Sequence, residues 1–247
     1  MSLKLYIGTS GWSYWHWKGK FYPEKLSSKS QLKYYSKYFK TVEINSSFYH
    51  LPRAKTYQNW ASQVSDDFVF AVKASRFITH IKRLKGVKLA WKRFVGNTLN
   101  LGNKLGPILF QFPSSFQANP INIKRLEKLL VHIKRNWPGL KLAFEFRHKS
   151  WFDKKIYKIL KKYKTSLVIA DSSRYPKDIV STTDFVYFRY HGPAELFGSK
   201  YSEKQLQQEA KIIRKFLNQK KEVYVYFNND FSGYAIENAK ELIKILR

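Results

Sequence analysis

The sequence predicts an α/β chain folded as a single (β/α)8 barrel of the TIM type, with a site at the carboxyl ends of the strands. Short apolar runs rich in Val, Ile, Phe and Tyr alternate with amphipathic helical patterns. The alternation recurs about eight times over the 247 residues, the spacing that such a barrel requires. Strand after strand also ends on a polar side chain that shares a face with the small or apolar residues before it. Side chains alternate faces along a strand, so these ends gather around one opening.

The strands are expected at Lys4–Thr9, Thr41–Ile44, Phe68–Lys73, Pro107–Phe112, Lys141–Phe146, Leu167–Asp171, Phe185–Tyr190 and Val223–Phe227. Their inward sets, in order from the second strand, begin with Thr41, Glu43 and Asn45, then Val69, Ala71 and Lys73. Pro107, Leu109 and Gln111 follow, then Ala143, Glu145 and Arg147. The last three sets are Leu167, Ile169 and Asp171; Tyr187, Arg189 and His191; and Tyr224, Tyr226 and Asn228. Between the strands, SQLKYYSKYF opens a helix at Ser30 and TYQNWASQV is capped by Thr56. INIKRLEKLLVHIKRNW stops at Pro138-Gly139, and Ser202 with Gln205 forms a capping box. KKIYKILKKYK presents the solvated face of an amphipathic helix, and YAIENAKELIKILR closes the chain. A doubly wound open sheet would carry a glycine-rich phosphate turn after its first strand. GTSGWSYWHWKG lacks G-x-G-x-x-G, no P-loop occurs, and no linker divides the chain, so one domain over residues 1–247 is expected.

A hydrophobic content of 44%, with 17% aromatic residues, supports a substantial core. There is no cysteine, which excludes disulfides, thiolate metal sites and cysteine nucleophiles. No run reaches the roughly 18 apolar residues of a membrane span. MSLKLYIGTSGW has no apolar leader stretch, so a cytoplasmic chain with no membrane partner is expected. Forty-six Lys and Arg against 17 Asp and Glu give a net charge of +29. Such a field attracts phosphates or nucleic acid, although a drift toward helical lysine produces the same number.

The strand ends supply the chemistry. Glu145 and Arg147, two residues apart on one face, can pair, with His148 beside them. Glu43 closes the second strand, ahead of Asn45, Tyr49 and His50; Asp171 closes the sixth, and His191 follows the seventh. Glu43, Glu145, Asp171 and His191 are the candidate catalytic groups. Their oxygen and nitrogen atoms suit a divalent metal. The cations Lys73, Arg147 and Arg189 sit among the same carboxylates, however, and can take the place of a metal as counter-charge, so a metal is not favoured. Lys73, Arg76 and His80 after the third strand face an anion, with Gln111 and Asn45 as orienting groups. A lone strand-end Lys is also a candidate Schiff-base nucleophile. Arg189, His191, Asn228 and Asn229 end the last two strands, where this fold commonly holds phosphate, with Ser232 and Gly233 opening the helix beyond. The loop after the first strand carries Trp12, Tyr14, Trp15, Trp17, Phe21 and Tyr22, which pin the loop or stack on a ring; His16 is a further mouth candidate. His132 reads as a packing or solvated residue on a helix. No G-x-S-x-G or H-E-x-x-H motif is present.

IGTSGWSYWHWKGKFYP, FKTVEINSSFY, FAVKASRFITH, LGPILFQFPSSF, LAFEFRHKSW, YFRYHG and VYFNND, in this order, resemble the YecE-like family, also called domain of unknown function 72. The resemblance runs from Ile7 to Asn229 and implies a TIM-type barrel. It implies no activity, because the family's name assigns none. Its blocks include Gly8, Trp12, Glu43, Asn45, Lys73, Gln111, Glu145, Arg147, His148, Asp171, Arg189, His191 and Asn228. The leading functional reading is an enzyme acting on a phosphate-bearing substrate, a phosphodiester or nucleic-acid component. The alternatives are a sugar or sugar-phosphate isomerase, lyase or glycosidase, and a non-catalytic nucleic-acid-binding protein.

Overall fold

Eight strands pair in parallel in the order β1-β8-β7-β6-β5-β4-β3-β2. They are β1 (Leu5–Thr9), β2 (Thr41–Ile44), β3 (Val69–Lys73), β4 (Leu105–Gln111), β5 (Leu142–Glu145), β6 (Ser166–Asp171), β7 (Phe185–Tyr190) and β8 (Glu222–Phe227). The structure is a computed structural model and describes residues 4–247. The first three residues, part of the terminus expected to lack a leader, lie outside the described residues. The helices are α1 (Gln31–Tyr35), α2 (Ser46–Tyr49), α3 (Ala54–Ala61), α4 (Lys88–Thr98), α5 (Pro120–Asn136), α6 (Lys154–Lys162), α7 (Glu203–Asn218) and α8 (Tyr234–Leu246). Among the described residues, no helix is long and apolar enough to cross a membrane.

The ring closes between β1 and β2, but without a full backbone ladder. Ser10 and Glu43 form an isolated parallel bridge, and the Gly11 N–H donates to the Glu43 carbonyl at 2.8 Å. Below that bridge a phenol stands in for the missing rungs. Tyr35, at the end of α1, accepts from the Thr9 N–H at 3.0 Å and donates to the Thr41 carbonyl at 3.1 Å. A Cβ on Gly8 would lie 2.2 Å from the Thr41 oxygen, so only glycine lets the two strands approach.

Alternation along the strands divides the interior into two cores. The outward set packs beneath the helices, with Val42, Ile44, Phe110, Phe144 and Phe188 among its buried members. The inward set fills the barrel with Ala71, Leu109, Ala143, Val168, Ala170, Phe185, Tyr187, Tyr224 and Tyr226. Tyr6 stacks on Tyr224 at 5.0 Å near the amino-terminal end of the barrel. Helix ends follow local chemistry: Asn119 caps α5, Asp153 caps α6, and Ser202 with Gln205 completes the capping box of α7.

Four expectations are corrected. On β6 the inward residues are Val168 and Ala170, whereas Leu167 and Ile169 belong to the outer core, so Asp171 points away from the barrel axis. SLVIAD is apolar on both faces and carries no alternation from which parity can be read. No helix joins β6 to β7, because residues 172–184 form bends and extended chain. α3 begins at Ala54, directly after Pro52-Arg53, so Thr56 lies inside it and not at its cap. α4 is a helix the pattern did not announce. Val87 gives it no side-chain cap, and Gly96 and Thr98 dilute its helical composition.

Tyr35→Phe is expected to lower stability by about 1–3 kcal/mol in urea unfolding, since it strands a buried N–H and a buried carbonyl at the β1–β2 seam. A loss below a few tenths of a kcal/mol would show that solvent replaces the phenol.

Candidate functional site

Arg189, on β7, is fully buried, and its guanidinium spans the barrel between two carboxylates. Its Nη1 donates to Glu145 Oε2 at 2.6 Å and its Nη2 to Glu43 Oε1 at 2.8 Å. Room for so large a side chain comes from Ala170, its neighbour in register on β6. Glu43 is held further by the hydroxyls of Ser10 (2.7 Å) and Tyr187 (2.6 Å), both donating to its carboxylate. Arg147 Nε donates to Glu145 Oε1 at 3.0 Å while the guanidinium stacks on Tyr175 at 4.3 Å. β2, β5 and β7 thus contribute one joined ionic layer.

That layer fixes protonation. Burial by itself raises the Glu145 carboxyl, but Arg189, His191 and Arg147 outweigh it and hold the group well below the ordinary carboxylate range. Glu145 is therefore a fixed negative charge and has no proton to donate near neutrality. Burial lowers His191 despite the nearby Glu145, leaving a neutral ring at neutral pH. Its Nδ1 pairs with the Asn228 side-chain amide at 3.1 Å. Its Nε2 comes within 3.4 Å of Glu145 Oε1 in a geometry that makes no hydrogen bond.

Above this layer lies a group of bases. Burial, together with the positive field of Arg189, lowers the Lys73 amine to about 7, against the partial pull of Glu43 and Glu145. Its Nζ sits 4.2 Å over the ring of Phe48 and makes no ion pair among the described residues. His80 lies on a single π-helical turn, Phe77–Ile81, a feature often found at functional sites. Burial and the charges of Lys73, Arg147, Arg76 and Arg83 lower it to about 4. Gln111, buried on β4, donates to the Phe112 carbonyl at 2.8 Å and lies 3.5 Å from His80 Nε2. Asn45 Oδ1, Arg189 Nε and His191 Nε2 are buried polar atoms without a protein partner. No three described His, Asp or Glu side chains converge as metal ligands would. Glu43 and Glu145 instead share the guanidinium of Arg189.

The structure thus gathers Glu43, Asn45, Lys73, Arg76, His80, Gln111, Glu145, Arg147, Arg189, His191 and Asn228 at one end of the barrel. Four expected members are not brought there. Asp171 faces α7, where it accepts from Lys177 at 2.8 Å and from Tyr201 at 2.6 Å. His148 Nδ1 accepts the Ser150 N–H at 3.2 Å and caps a turn. Asn229 donates to Ser199 and Asn238 at 2.9 Å each, tying the β8 loop to α8. Trp12 is buried in the outer core, edge-on to Trp60. Three partners are not among the sequence-derived site candidates: Ser10 and Phe48, and Tyr187, which is expected on the inward face but given no role. Ser10 and Tyr187 share the inward parity of Gly8 and Arg189, a signal that was present but overshadowed by the charged residues.

A family profile described as "Protein of unknown function DUF72" matches residues 6–247. The chain belongs to the DUF72 family. UPF0759 protein YunF of Bacillus subtilis is 26% identical to it, over 98% of this chain and 94% of that protein. UPF0759 protein YecE of Escherichia coli K12 is 28% identical over 61% of this chain and 51% of that protein. A crystal structure of a DUF72 protein from Thermotoga maritima superposes with a TM-score of 0.87 at 33% identity, covering 98% of both chains. An Enterococcus faecalis DUF72 structure, 23% identical and covering 98% of this chain and 95% of its own, shares the fold with a TM-score of 0.80. The DUF72 family carries no activity in its name.

Arg189→Met strands two buried carboxyls and is expected to cost about 3–5 kcal/mol in urea unfolding at pH 7. Glu145 stabilises the fold above its unfolded value near 4.3, and that contribution is lost as pH falls through its lowered folded value. The gap between wild type and Arg189→Met should therefore narrow as pH drops below about 4.3. A constant gap down to acid unfolding would contradict the ionic layer.

Proposed function

We propose that this DUF72 protein is an enzyme that takes a phosphate-bearing substrate, such as a phosphodiester or nucleic-acid component, into the strand-end mouth. Lys73 moves the proton there, and Arg147 and Arg76 offset the substrate's charge. The observation that carries this reading is the position of the Lys73 amine: over Phe48, above the Glu43–Arg189–Glu145 layer, and without a carboxylate of its own. Arg189 and Arg147 between them occupy both carboxylates of the layer, so Lys73 and Arg76 call for an anion from outside. Preorganised positive charge of this kind stabilises negative charge that develops during reaction.

The acid–base work open to the candidate catalytic groups Glu145 and Asp171 therefore falls to Lys73. An amine near 7 is half neutral under working conditions, where a base combines availability with driving force. Glu145 and Glu43 hold Arg189 in place. Asn45, Gln111, His80 and the Nε2 of His191 offer neutral polar atoms that orient the bound group. A second reading rests on the same amine: with a phosphorylated sugar, neutral Lys73 attacks the carbonyl carbon and, on loss of water, forms an imine. Borohydride would trap that imine as a mass gain on Lys73.

The test is thermal unfolding at pH 7 against a panel of phosphate monoesters, diesters and sugar phosphates. At least one should raise the wild-type Tm by several degrees, as ligand linkage requires, and Lys73→Met and Arg147→Ala should abolish the rise. A panel that stabilises wild type and Lys73→Met equally sinks the assignment. Lys73→Met alone should be at least as stable as wild type at pH 7. The unfolded chain binds more protons at this position between about pH 7 and 10, so wild-type stability should climb with pH across that window.

A further inference from the structure

The three most exposed aromatic side chains described are Trp15 at 84%, Phe231 at 82% and Tyr49 at 72%. Single exposed aromatics scattered over a surface need no explanation. These three are not scattered. Trp15 and Phe231 sit on the connections that follow β1 and β8, and Tyr49 ends α2 in the connection after β2; these three strands are consecutive in the barrel. Neighbouring strands lie about 4.8 Å apart, so the three loops arise within about 10 Å of one another at the strand-end rim.

Two of the loops are bonded together. His16 Nε2 contacts the Asp230 carbonyl at 2.8 Å and its carboxylate at 3.0 Å, and Trp17 Nε1 donates to the same carboxylate at 2.8 Å. Trp15 and Phe231 each adjoin that junction in sequence, and both rings stand in solvent beside it. Lys20 Nζ reaches the Ser232 carbonyl at 3.4 Å, which places a cation beside Phe231. On the other side Tyr49 packs edge-on against Phe48, whose face lies under the Lys73 amine and whose edge meets His80. An aromatic path thus leads from the rim into the mouth. The loops around it carry Lys18, Lys20, Arg76, Lys82 and Arg83 against Glu24 and Asp230, and Asp230 is already occupied by His16 and Trp17.

We propose that Trp15, Phe231 and Tyr49 form a stacking platform for unpaired bases of a single-stranded nucleic acid whose phosphates run along the adjacent Lys and Arg side chains. Flat rings presented in solvent between cations are what a single strand requires: each base has a face to stack and each phosphate a charge to meet. A duplex keeps its bases stacked on one another and offers only its phosphates. A sugar ring also stacks on aromatic faces, but a neutral oligosaccharide makes no use of the cations. This deepens the proposed phosphate-binding reading by naming the polymer, yet the platform binds without turnover.

The test is fluorescence anisotropy of a labelled 20-nucleotide oligothymidine and of a duplex of equal length, with a neutral oligosaccharide as competitor. Wild type is expected to prefer the single strand, with affinity falling steeply as salt rises. The combined variant Trp15→Ala, Tyr49→Ala, Phe231→Ala should lose single-strand affinity by at least about 30-fold while duplex affinity stays within a few-fold. Equal binding of strand and duplex by wild type, an unaltered affinity in the combined variant, or displacement by the oligosaccharide would overturn the proposal. Lys73→Met separates the two readings. It should keep strand binding while losing the phosphate-ester response, whereas the platform variant should keep that response.

Discussion

A guanidinium buried between two carboxylates, Arg189 between Glu43 and Glu145, is the interaction around which this barrel is arranged. Taking three charges out of water is costly, and well-packed apolar side chains would often serve stability as well or better. The surroundings are built to accommodate it. Ala170 is small where the arginine passes, Ser10 and Tyr187 satisfy Glu43, and Arg147 shares Glu145. The layer draws on β1, β2, β5 and β7, so it also fixes those strand ends relative to one another.

The same layer explains why Lys73 is unusual. A lysine near paired carboxylates would ordinarily gain a partner and a higher pKa. Here Arg189 has taken both, so the amine meets burial and like charge first and is lowered to about 7. The lowered amine of Lys73 therefore depends in part on the pair beneath it. His80 and His191, both lowered and neutral, complete a mouth in which fixed charges and neutral bases reside on different side chains.

Much of this was legible from the residues alone. In TVEIN, KLAFEFRH and VYFRYH polar residues recur at every second position, and in PILFQF Gln111 breaks the run before its end, so parity and strand end could be read together. SLVIAD offered no such interruption before its last residue, and Asp171 was assigned to the wrong face; only packing decides, with Arg189 claiming the space that Ala170 leaves. His148 and Asn229 follow inward residues by one position, and alternation turns them outward to cap and tie their loops. The lowered amine of Lys73 was not legible, because it depends on how three strands distant in sequence divide their charges. The net charge of +29 describes the whole surface, and only the structure separates the few cations at the mouth from the many lysines on the helices.

The phenol of Tyr35 ties these layers to the outside of the molecule. Glu43 and Ser10 meet at the β1–β2 seam, whose spacing is set by a hydroxyl carried on α1 and not by a run of peptide rungs. Thr41, which Tyr35 holds, and Glu43, which pairs with Arg189, lie on the same strand two residues apart. One short strand thus joins the helical shell, through Tyr35, to the ion pairs at the axis.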